Sequence, residues 1–273
     1  MKDLKIAAVC MNSPTGEIDK NLDRIEAFSL KASERGVEII CFPELSITGY
    51  ILKAPQNVYS QSVSQEIIEQ VTRMARLNGL IIIAGMVEIS DRKKPYISQV
   101  VAGPEGLLGI YRKTHLSPQE KEIYEAGQCL DTFCYGDIIF GVQLCYESHF
   151  PEISTLMALR GAKIIFIPHA SPRGTPEEKL RSWLRHLPSR AFDNTLFVVA
   201  CNQTGKTGEG LSFPGVAIAL DPAGQIIARH EQNTENMVLT GIKMDLLREM
   251  REHRMKYFIP HRRPELYKGL SRY

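Results

Sequence analysis

"SERGVEIICFPE", residues 33–44, and "ALRGAKIIFIPH", residues 158–169, match nearly position for position. Each passes from an amphipathic segment through a glycine into an apolar run that stops at proline and a polar residue. The glycine suits a helix stop. The unbroken apolar run suits a strand covered on both faces. Two further pairs follow, "GLIIIAGMVE" (79–88) with "NTLFVVACNQ" (194–203) and "GPEGLLGIYRK" (103–113) with "DPAGQIIARHE" (221–231), all at offsets of about 115 to 125 residues. Two similar α/β halves predict two sheets packed face to face with helices outside, a four-layer α-β-β-α sandwich with an internal pseudo-two-fold repeat. A doubly wound sheet also yields loosely similar βαβ units. The extent of the repeat favours the sandwich.

The remaining segments fit this frame. "LKIAAVCM" (4–11) reads as a strand, and 18–36 as a helix whose Leu22, Ile25, Phe28 and Ala32 share a face. Residues 64–79 read as a second helix, 98–113 as a hairpin, and 137–147 as the strand that opens the second half. A helix follows over 150–161, with Pro151 and Glu152 in its first turn. Residues 176–194 are helical with a break near Pro188, and 215–230 form another hairpin. Nothing suggests a linker, so residues 1–273 read as one domain. From about residue 246 the chain becomes a charged helix and an irregular, proline-containing tail, placed over the body, against a partner subunit, or simply in solvent.

Bulk properties narrow the function. The chain has 273 residues, 44% of them hydrophobic, enough for a large core. A net charge of +2 argues against a dedicated nucleic-acid binder. No apolar run reaches the 18 residues of a membrane span, and the N-terminus does not read as a signal peptide; a cytoplasmic protein is expected. Cys129 and Cys134 form a single C-x4-C pair, too few ligands for zinc, so no metal is expected.

The repeat makes its asymmetries informative. Glu44 closes one apolar run, Lys113 closes the first hairpin, and Cys145, in "GVQLCYESHFPE" (141–152), closes the run that opens the second half. Ends of core strands face the loops where ligands bind in layered α/β folds. A thiol is mostly protonated at neutral pH, so a carboxylate that takes its proton would activate it. The apolar neighbours Phe42, Pro43 and Leu45 favour burial of Glu44, which raises its pKa toward that of a useful base. A lysine ammonium and the backbone N–H of Tyr146 would stabilise an oxyanion. A redox thiol would need neither Glu44 nor Lys113.

These residues, in "FPELSITGY", "YRKTHL" and "CYESHFPE", resemble the nitrilase superfamily of carbon–nitrogen hydrolases, amidase-like branch, along essentially the whole chain. The resemblance implies the same sandwich, a catalytic triad at Glu44, Lys113 and Cys145, and a second glutamate beside the lysine. That glutamate falls at Glu120, with Glu122 and Glu125 as neighbouring acids and Ser117 where the family usually has Phe. It implies hydrolysis through a cysteine thioester without a cofactor, and a homodimer or higher homo-oligomer.

By the same resemblance, Glu147, His149, His169 and Arg173 would line the acyl pocket, with Arg173 as a carboxylate anchor. Amidase branches often carry Asp where Glu147 stands, nitrile hydrolases often carry Trp-Glu after the cysteine, and Tyr146-Glu147 shares one feature with each. His149 stands where the omega-amide branch has arginine, against that specificity. Likeness of 180–194 and 258–267 to N-carbamoyl amino-acid amidohydrolases favours a small carboxamide or N-carbamoyl substrate. Nitrile hydrolysis is the alternative, and a non-catalytic binding subunit the remote one.

Overall fold

In the computed structural model, which describes residues 3–52, 59–207 and 210–269, the repeat becomes two equivalent sheets. The first half runs β1 (Leu4–Cys10), α1 (Ile18–Glu34), β2 (Ile39–Cys41), α2 (Gln61–Asn78), β3 (Ile81–Glu88), β4 (Tyr96–Gly103) and β5 (Gly106–Arg112). A short helix α3 (Pro118–Ile123) and strand β6 (Thr132–Tyr135) lead into the second half. That half contains β7 (Ile138–Val142), α4 (Pro151–Leu159), β8 (Ile164–His169), α5 (Pro176–Trp183), α6 (Leu187–Asn194) and β9 (Phe197–Asn202). A ribbon of β10 (Thr204–Lys206) and β11 (Ser212–Pro214) precedes β12 (Val216–Leu220) and β13 (Ile226–Glu231), and the chain ends with β14 (Asn236–Ile242) and α7 (Met244–Glu252).

Sheet one has the order β14-β1-β2-β3-β4-β5 and sheet two β6-β7-β8-β9-β12-β13. In each, three parallel strands are followed by an antiparallel hairpin, and one antiparallel strand closes the other edge. Thus β14 and β6 are counterparts, although one lies late in the sequence and the other in the middle.

Alternation along the strands separates the layers. Ile6, Ala8 and Cys10 of β1, with Ile39, Cys41, Ile81 and Ile83, enter the core shared with sheet two. Their neighbours Ala7, Val9, Ile40, Ile82 and Ala84 face outward and pack with Leu22, Ile25 and Ala32 of α1 and Ile67, Val71 and Ala75 of α2. Both faces of sheet one are therefore buried, one against a sheet and one against helices, as the four-layer sandwich requires.

A glycine ends α1 as expected, Gly36 at φ 70°, and Gly79 at φ 63° does the same for α2. The break in 176–194 falls at Leu184–His186, so that Pro188 occupies the first turn of α6 instead of interrupting a helix. The tail helix α7 packs on the body through Met244, Leu247 and Met250, and Arg251 donates to the carbonyls of Ala162 and Thr195. Beyond it, residues 253–269 are largely exposed. No helix among the described residues is long and apolar enough to cross a membrane.

Candidate active site

Glu44 and Cys145 do not end strands in the literal sense. Each lies three residues beyond its strand, which stop at Cys41 and Val142. Pro43 carries no N–H, and Leu45 takes φ 55°, turning the chain back sharply. Cys145 itself takes φ 38° at the start of a 3₁₀ turn, Cys145–His149. A left-handed non-glycine residue costs about 1–3 kcal/mol and persists only where its surroundings hold it.

Those surroundings are visible. Glu147, fully buried, braces the turn from within: its carboxylate accepts from Leu144 N–H at 2.5 Å, Thr114 N–H at 2.7 Å, Thr114 Oγ1 at 2.6 Å, and Tyr111 Oη at 3.0 Å to each oxygen. Ser148 Oγ donates to the Cys145 carbonyl at 2.7 Å, and Gln143 Nε2 to the Glu147 carbonyl at 3.1 Å. The first hydrogen bond of the turn is Glu147 N–H to Leu144 C=O at 2.8 Å, so the N–H of Tyr146 precedes it and is available in the manner of a helix start.

Lys113 follows β5 directly and is 1% exposed. Its ammonium lies between two buried carboxylates, 2.7 Å from Glu44 Oε1 and 2.8 Å from Glu120 Oε1. Glu120 is fixed by a capping box at the start of α3, where its Oε2 accepts from Ser117 N–H at 2.7 Å. Ser117, which departs from the usual family residue, therefore serves as the helix cap that orients Glu120. The other Glu44 oxygen accepts from Ala170 N–H at 2.9 Å, just past β8.

The electrostatics follow from burial. Desolvation raises the Glu44 carboxyl above the ordinary glutamate range, against the pull of Lys113. Burial also opposes the charge on Lys113, but Glu44, Glu120 and Cys145 together override it and hold the lysine protonated. Burial and then the charge of Glu44 push the Cys145 thiol up, with Lys113 acting in the opposite direction. Cys145 is thus in electrostatic reach of Glu44, Lys113 and Glu120 at once, and its resting form at neutral pH is the thiol.

The other expected residues separate. His169 is the last residue of β8, buried, with Nδ1 at 2.8 Å from the Ile167 carbonyl and its ring 4.4 Å from that of Trp183. Burial depresses its pKa well below the usual value, so it is neutral. Glu147 is expected in the acyl pocket; instead, the protein's own donors occupy both of its oxygens. His149 is exposed and stacks 4.5 Å from His186, on the outer side of the turn. Arg173, at φ 71°, is an exposed loop residue. Two residues near the site were not anticipated. Tyr50 is buried and feels the charges of Glu120, Glu44 and Cys145. Lys179 on α5 is partly buried and couples to Cys145. Tyr50 ends the quoted "FPELSITGY", five residues after the turn at Leu45, which was the available signal; Lys179 had none.

The sequence model of the carbon–nitrogen hydrolase family matches residues 5–252. The chain belongs to the carbon–nitrogen hydrolase family. Among its relatives, a protein named nitrilase from Pyrococcus abyssi is 32% identical over 97% of this chain and 99% of its own length. A 2-oxoglutaramate amidase from Bacillus subtilis is 28% identical over 87% of this chain and 90% of its own. Among solved structures, an amidase from Nesterenkonia sp. superposes with a TM-score of 0.85 at 23% identity, covering 98% of this chain and 96% of that one. At this identity the likeness shows the fold, and this carbon–nitrogen hydrolase shares it from end to end. A variant of that amidase has been solved with acrylamide added at its active-site cysteine.

Proposed function

We propose that the protein hydrolyses a small carboxamide or N-carbamoyl compound through a thioester, or carbamoyl-enzyme, on Cys145. The observation that carries this reading is the buried arrangement of Lys113 between Glu44 and Glu120, at 2.7 and 2.8 Å, within electrostatic reach of a thiol on a strained turn. In the first step the sulfur bonds to the carbonyl carbon while Glu44 takes the thiol proton. The Lys113 ammonium and the Tyr146 N–H receive the oxyanion. As the C–N bond breaks, Glu44 returns the proton to the departing nitrogen. Water then attacks the thioester, Glu44 accepts its proton, and the thiolate leaves and is reprotonated. Glu120 holds Lys113 from the side opposite Glu44.

Relatives named N-carbamoylputrescine amidase, 2-oxoglutaramate amidase and deaminated glutathione amidase support an amide over a nitrile. The nitrilase name of the Pyrococcus abyssi relative keeps nitriles in the test. The protein is mixed briefly with amides, ureides and nitriles, then read by intact mass and by ammonia release. An acyl or carbamoyl increment lost in Cys145→Ala, with ammonia from an amide or ureide, is the expected result. Ammonia release that persists in Cys145→Ala excludes this mechanism, and turnover of nitriles alone excludes the amide reading.

A further inference from the structure

Lys179 is a cation beside the catalytic cluster, in electrostatic reach of Cys145, to which the chemistry above assigns no task. It lies one turn before Trp183 on α5, and residues four apart share a helix face. Trp183 stacks on His169, and the next residue, Ala170, donates to Glu44. The same face of α5 therefore looks toward the end of β8 where the catalytic carboxylate sits. The ammonium is held by Ser171 Oγ at 2.7 Å and the Pro172 carbonyl at 3.4 Å, on the loop that leaves that strand. Both tethers are neutral. Among the described residues, no carboxylate lies within 4 Å of Lys179, the limit for an ion pair. Neighbouring acids are engaged elsewhere, Glu178 with the Thr175 N–H and Glu177 with Arg181. The nearby thiol is neutral at rest, so it supplies no counter-charge either.

A partly desolvated ammonium without a counter-ion is costly unless an anion completes it. We propose that Lys179 is the specificity-determining residue of this site, pairing with a carboxylate carried by the substrate at a distance from the scissile amide. The substrate is then an anionic amide, and the anchor is Lys179 on α5 instead of Arg173 or a residue at position 149. This rests on the amide-hydrolase reading and narrows it. A structural role, in which Lys179 only ties down the loop at Ser171, predicts no dependence on substrate charge.

Butyramide and succinamate, which present the same chain length without and with a terminal carboxylate, separate the two roles. The wild-type protein is expected to prefer succinamate. Lys179→Met should lower the succinamate-to-butyramide ratio of kcat/KM by about 10- to 100-fold, mainly through KM on succinamate; Lys179→Arg should recover most of that ratio. Equal losses on both substrates, or a wild-type preference for the neutral amide, overturn the proposal. Succinate binding to Cys145→Ala by calorimetry provides a readout without turnover. Loss of that binding on adding Lys179→Met supports the anchor, and unchanged binding overturns it. Absence of turnover on every amide would count against the hydrolase reading, while the binding measurement still judges Lys179.

Discussion

The N–H of Ala170 donates to Glu44 Oε2 at 2.9 Å, across 126 residues of sequence. In the repeat, Glu44 corresponds to His169, so this bond joins equivalent points of the two halves. The carboxylate comes from one sheet and its orienting donor from the other. With Lys113 on the remaining oxygen, Glu44 has one geometry available to it.

Glu44→Gln preserves the shape and leaves Lys113 its Glu120 partner, but removes the base. The expected loss in kcat is about 10²- to 10⁴-fold with little change in thermal midpoint, measured on one amide by ammonia release and by calorimetric melting.

The acid limb of kcat/KM should lie above the ordinary glutamate range, because burial raises Glu44 and the base must be ionised. Activity is lost as pH falls through that raised value. Rates on a neutral amide between pH 4 and 8 test this, and an undiminished rate at pH 4.5 would show that Glu44 is not the titrating base.

Lys113→Met leaves two carboxylates buried without their cation. A penalty of about 3–5 kcal/mol in unfolding free energy is expected at pH 8. The sign follows from Glu44: its folded pKa, already raised, loses the pull that opposes the shift. The folded variant is then favoured at pH below the unfolded value and destabilised as pH rises through the folded one. Denaturant titrations at pH 5 and 8 should show the smaller deficit at pH 5.

Gly85→Ala tests the turn at Glu44. A Cβ on Gly85 would stand 2.3 Å from Leu45 N and 3.0 Å from the Glu44 carbonyl carbon, both backbone atoms, so the turn must shift. A displacement of this order costs about 10²-fold in rate where reacting groups must align. Steady-state kinetics should show the loss in kcat, with circular dichroism confirming that the protein remains folded.

Tyr111→Phe removes a donor shared by both Glu147 oxygens and is expected to destabilise the protein by about 1–3 kcal/mol. Chemical denaturation measures this directly. The larger effect of Glu147→Ala on Cys145 alkylation would report loosening of the strained turn.

What was legible in the sequence was what depends on local chemistry. Gly36 ends a helix, Pro151 opens one, and the order and spacing of the motifs around Glu44, Lys113 and Cys145 carry the resemblance. The reading of 137–147 as one strand overran β7 because Leu144 stays buried after the hydrogen-bond ladder ends; apolar pattern reports burial, not pairing. The edge strands β6 and β14 escaped notice because they are short or half-exposed, and their partners are set by the sheet. Neither Glu147 nor Lys179 can be placed from sequence. A charged side chain that braces the backbone and one that faces a ligand look alike in sequence, and the surroundings of these two come from distant elements, β5 for Glu147 and the loop after β8 for Lys179.

The division of the proposed triad between the two halves has a mechanical consequence. Glu44 and Lys113 travel with one sheet and Cys145 with the other, so catalysis reads the seating of one layer on its counterpart. A slip of about an ångström between the sheets would leave every helix and strand intact, yet lower the rate of the proposed chemistry about 10²-fold before the chain comes apart.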